Sequence, residues 1–174
     1  MVVYEDIQFD KVKKVKEIAR VERMKKIREV QFAYREENRK FAKTWDDLTS
    51  YAKDGKISII KTIETFDEVA DTLLSVRKDT SSVNVVDSLF NGFANEIDSL
   101  PYIPFSKENV KFSINAGKLE LRGGVLVDVF EVTDMDPIYQ DPDADNNDPS
   151  DRPLQLGNMG ASNFDLNRDP SMKK

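Results

Sequence analysis

From Asp10 to Phe41 the chain contains neither Pro nor Gly and is built largely from Glu, Lys, Arg, Ala and Met. That composition predicts one unbroken helix. A helix of this length spans about 48 Å, more than the width of a small domain, so part of it is expected to protrude or to pack on another chain. Val12, Val15, Ile18, Val21, Met24, Ile27 and Val30 recur every three residues. A three-residue step falls short of a full helical turn, so this apolar stripe drifts around the helix and does not hold one face. Apolar content thickens beyond Ile27, with Val30, Phe32, Ala33, Tyr34 and Phe41. The second half is therefore expected to be the docked half, with Val30, Tyr34, Phe41 and Trp45 as its packing residues.

Charge divides the chain in the same way. Between residues 11 and 28, nine Lys and Arg face two Glu, a net of +7, whereas the whole chain carries −6 and the remainder therefore −13. A basic stalk on an acidic body has consequences for partners. Lys11, Lys13, Lys14, Lys16 and Arg20 are the candidates for a membrane-proximal basic helix facing anionic headgroups. Solvation with i,i+4 pairs such as Glu22–Lys26 is the competing reading. Nucleic acid is not expected as a partner, because the acidic body would repel a phosphate backbone and no reading motif accompanies the helix.

Downstream, Thr44 can cap a short helix over Trp45–Lys53, with Asp46 and Asp47 at its positive end and Gly55 to stop it. Residues 57–63 alternate as a strand. Residues 64–84 read less clearly, with Leu73–Val76 and Val83–Val86 as strand candidates, and Asp87–Phe93 as a helical turn. Pro101 and Pro104 bracket an extended apolar link. Lys111–Asn115, Lys118–Arg122 and Val125–Val132 alternate again, and turns at Ala116-Gly117 and Gly123-Gly124 predict a three-stranded meander. Residues 134–174 hold five of the seven prolines together with many Asp and Asn. Such a segment buries too little surface to offset its ordering entropy unless a ligand or partner helps. The expected organisation is a protruding basic helix over 1–28, a globular α+β unit over 29–133, and an acidic tail over 134–174.

The chain has no Cys and no His, which removes disulfides, thiolate nucleophiles, the commonest general base and the commonest transition-metal ligand. Carboxylate-only chemistry survives, but Asp46 and Asp47 are adjacent on a helix and point apart; a non-catalytic role is expected. Within Asp141–Asp151, Asp143-x-Asp145-x-Asn147 matches the opening of an EF-hand-type loop. Asp141, Asp143, Asp145, Asn147 and Asp148 are thus candidate calcium ligands. However, Asp148 stands where Gly is required and Leu154 where a bidentate Glu is required. A solvated acidic linker explains the same residues. No run reaches the roughly 18 apolar residues of a membrane helix, and no secretory signal is visible.

The segment Val30-Gln31-Phe32-Ala33-Tyr34-Arg35-Glu36-Glu37-Asn38-Arg39-Lys40-Phe41, followed by Trp45, Leu48 and Lys53-Asp54-Gly55-Lys56-Ile57, resembles the end of a pilin or pseudopilin helix. Arg39-Lys40 stand where that helix carries a Gly-bearing turn. Asn84–Phe90, Tyr102-Ile103-Pro104-Phe105-Ser106 and Gly123–Val127 are similar to a family of uncharacterised envelope proteins from Bacteroidetes, over most of residues 7–160. The resemblance implies a pilin-like α+β fold, a long N-terminal helix packed on a four- to five-stranded antiparallel sheet. It further implies an inner-membrane anchor upstream of Tyr4, a domain at the periplasmic face of the inner membrane, and packing or self-association through the long helix. It lends support to calcium near the C-terminus. The function it implies is a non-catalytic structural or interaction subunit of an envelope or secretion-related assembly. The alternative is a calcium- or peptide-binding module at the membrane surface.

Overall fold

The computed structural model describes the backbone of residues 2–67, 72–136 and 152–169, with side chains over 11–63, 76–136 and 152–169. Helix α1 (Val2–Asn38) is the predicted rod, 37 residues without a break. The drifting stripe divides along it as its geometry requires. Val12 and Val15 are exposed, while Val21, Met24, Ile27 and Val30 are buried. Burial begins at Arg20 and Val21, so the docked half starts earlier than the boundary expected at residue 28.

Arg39, at φ 58, ends α1 in the left-handed conformation usually left to Gly, and its N–H donates to the Arg35 carbonyl at 2.8 Å. Gln31 then secures the turn that follows. Its Nε2 donates to the Ala42 carbonyl and its Oε1 accepts from the Ala42 N–H, both at 2.9 Å. A buried amide is tolerated here because both ends are satisfied.

Helix α2 (Trp45–Asp54) begins as expected, with Thr44 Oγ1 accepting from the Asp47 N–H at 3.2 Å. Gly55 ends it for a steric reason, since a Cβ there would lie 2.5 Å from the Tyr51 ring. Strands β1 (Lys56–Asp67) and β2 (Thr72–Asn84) form a long antiparallel hairpin. It resolves the ambiguous stretch, and Val85 and Val86, read as strand, instead open helix α3 (Val85–Phe90). A second short helix, α4 (Ala94–Ser99), follows. The Pro101–Pro104 link folds back on Val110–Phe112, with the Ile103 N–H donating to Val110 at 2.8 Å and the Phe112 N–H to Pro101 at 2.9 Å.

The α+β class and the long helix hold, and the five strands among the described residues divide between two sheets, β1-β2 and β3-β4-β5, where one sheet was expected. The meander needs correction. Ala116-Gly117 do not turn; they lie inside one strand, β3 (Ser113–Glu120), paired with Phe130 and Val129 of β4 (Leu126–Thr133). Only Gly123 and Gly124, at φ 94 and 77, make a turn. The third strand comes from the expected tail: β5 (Gln155–Gly157) pairs with Glu131–Thr133. Leu154 and Leu156 are buried, and Phe164 and Leu166 pack against the core. Within residues 152–169, these apolar side chains thus lie against the core beside β4.

At the centre four rings meet. Phe41 lies 4.7 Å from Phe130, Phe130 stacks on Phe164 at 5.6 Å, and Phe32 meets all three edge-on. Such contacts add to the apolar area they bury. Val30 and Phe41 are buried, and Tyr34 and Trp45 are half-buried against the core. Trp45 also donates from Nε1 to the Phe112 carbonyl at 2.9 Å, tying α2 to the sheet.

Candidate functional site

Two elements extend from the core. One is the N-terminal part of α1, where Lys11 and Lys14 are exposed and Val15 is 60 % exposed. The other is the β1-β2 hairpin, joined to the body through Ile57 and through the Val85 N–H, which donates to the Gly55 carbonyl at 3.0 Å. Alternation places Ile57, Ile59 and Ile63 with Val83 on one face, and Ile60 with Val76 on the other. Ile60 is 62 % exposed, and Ile59, Ile63 and Val76 are exposed as well. A two-stranded ribbon is marginal in water by itself, and among the described residues no further strand pairs with either outer edge.

Where the hairpin meets α1 there is a groove of about 590 Å³. Phe32, Ala33, Ile57 and Leu89 make its apolar walls, and Glu29, Glu36, Glu37 and Lys56 line it as well. The three carboxylates follow from helical spacing, since positions 29, 33, 36 and 37 share one side of α1. None of them is in an ion pair among the described residues. Three acids against one lysine leave the groove negative.

Tyr51 lies close to Glu37 and Glu36. Its hydroxyl donates to the Ala33 carbonyl at 2.9 Å and approaches the Lys56 carbonyl at 3.3 Å. Burial, together with Glu37 and Glu36, pushes the phenol up to about 12.

The basic helix needs one correction. Arg20 is 2 % exposed and cannot reach a headgroup. Its Nη1 donates to Asp134 Oδ2 at 2.9 Å and to the Asp136 carbonyl, and its Nε donates to the Pro104 carbonyl at 3.1 Å. Burial raises the Asp134 carboxyl above the usual carboxylate range, against the opposing pull of the Asp136 N–H and of Arg20. Arg20 therefore clamps α1 to the chain beyond β4. Lys11, Lys13, Lys14 and Lys16 precede the clamp on the extending turns.

The candidate calcium ligands Asp141, Asp143, Asp145, Asn147 and Asp148 lie outside the described residues. Among the described residues, no group of three or more Asp or Glu is placed to share a metal ion. Leu154, at the loop position that needs a bidentate Glu, is 3 % exposed and belongs to the core. No described helix is long and apolar enough to cross a membrane.

The groove escaped the sequence reading because half of it comes from the hairpin. Its α1 side carried a signal in the spacing of Glu29, Glu36 and Glu37, opposite in charge to Lys11 and Lys14. No family model, no curated protein and no solved structure matches this chain.

Proposed function

We propose that this chain is a non-catalytic structural or interaction subunit, working through the two elements that extend from its core. The observation that carries the reading is the exposure of apolar side chains on both of them, Val15 at one end and Ile60 on the hairpin. A monomer gains nothing from leaving these side chains in water, whereas a partner that covers them removes apolar area from solvent at roughly 25 cal/mol per Å². The resemblance to pilins and to Bacteroidetes envelope proteins supports placing that partner in an envelope or secretion-related assembly at the periplasmic face of the inner membrane.

The test is site-specific photocrosslinking of the full-length protein in its own cells. A photoreactive residue at Val15 or Ile60 is expected to give discrete protein adducts, and one at Ser50, exposed on α2, is expected to give none. Absence of adducts at both Val15 and Ile60 overturns the proposal.

A further inference from the structure

We propose that two copies of this chain pair antiparallel along α1, the Lys11–Lys14 turn of each seated at the acidic groove of the other. This rests on the interaction reading above and names a surface and an occupant for it. Lys11, Lys14 and Val15 lie on the same stripe of α1 as Glu29, Phe32 and Glu36, reached from one another in steps of three and four residues through Ile18, Glu22 and Lys25. The stripe is cationic with an exposed Val15 at one end. At the other end it is anionic over an apolar floor.

The two ends complement each other and cannot meet within one molecule. Their centres are about 28 Å apart along one unbroken helix, which cannot fold back on itself. A second copy must supply the complement. Because both ends lie on one face, two copies presenting that face to each other are related by a two-fold axis, the commonest oligomeric symmetry. The antiparallel register then sets Lys11 opposite Glu36 of the second copy, and Val15 opposite its Phe32. The axis passes between Glu22 and Lys25; Asp169 of the same chain already holds Lys25 at 2.6 Å, so the charge complement rests on the two ends. The reverse, parallel arrangement stacks lysines on lysines and glutamates on glutamates, at a cost of like-charge contact along its whole length.

The test is sedimentation of the full chain at low ionic strength, comparing wild type with K11E/K14E and with E29K/E36K. All four positions are on the surface, and circular dichroism checks that each variant is folded. Wild type is expected to be a dimer that weakens with salt. Each double variant is expected to dissociate with a constant raised by about tenfold or more, because like charges then face each other at both ends. An equimolar mixture of the two variants is expected to restore a one-to-one dimer, and so is the chain carrying all four substitutions. A monomeric wild type, double variants that dimerise as wild type does, or variants that fail to recombine each overturn the dimer. If the dimer fails while Val15 or Ile60 still forms adducts in cells, the broader interaction reading stands; if neither position forms adducts, it falls with the dimer.

Discussion

Arg20 and Asp134 meet at 2.9 Å across 114 residues of sequence, with side chains only 2 % and 3 % exposed. The contact joins the middle of α1 to the end of β4. Breaking a buried pair from one side strands the other charge in a place water does not reach. Asp134→Ala is therefore expected to cost about 3 kcal/mol or more in urea unfolding. The double variant Arg20→Met with Asp134→Leu is expected to lose less than Asp134→Ala alone, since no uncompensated charge remains. A double variant as unstable as the single would show that Arg20 acts through its bonds to Pro104 and Asp136 instead.

Tyr51 sets a pH dependence with a definite sign. Its phenol is raised to about 12, so unfolded Tyr51 releases its proton at lower pH than folded Tyr51 does. The stabilisation it contributes is full below the ordinary phenol range, near 10, and is lost as pH rises towards 12. A spectrophotometric titration is expected to show a late phenol that is lost in Tyr51→Phe, beside Tyr34, which burial and Asp47 also raise. A Tyr51→Phe curve that superimposes on wild type would remove the assignment.

Docking of residues 152–169 is tested at Gly157. A Cβ there would stand 2.3 Å from the Phe130 carbonyl oxygen, at a φ of +74 that L-residues avoid. Gly157→Ala is expected to cost about 1–3 kcal/mol or more and to release β5. Leu156→Ala, which empties a fully buried site next to Val132, is expected to cost about 2–5 kcal/mol. Limited proteolysis of Gly157→Ala is expected to cut near β5 faster than in wild type. Unchanged cleavage would contradict the pairing.

Arg39 offers a gain. An L-residue in the left-handed region costs roughly 1–2 kcal/mol, partly offset by the greater freedom that Gly has when unfolded. Arg39→Gly is expected to stabilise the protein by about 0.5–1 kcal/mol, read as a higher Tm. A fall in Tm would mean that the Arg39 side chain supports the turn in another way.

What the sequence determined by itself is local. The continuity of α1 follows from a run without Pro or Gly. The α2 cap follows from Thr44 with Asp47 three residues on, and the β3-β4 turn from paired glycines. Each depends on neighbours within about one turn of chain, and such interactions are written in adjacent residues. The tertiary structure decided what depends on distant partners. Arg20 looked like one more surface cation until Asp134 and Pro104 reached it, and Gly117 looked like a turn until β4 held it in a strand. Residues 152–169 looked too poor in apolar content to order, because total content matters less than where Leu154, Leu156 and Phe164 fall. The groove likewise required α1 and the hairpin to converge. Burial of a charge or closure of a groove is a sum over segments far apart in sequence, so no stretch of chain carries it alone.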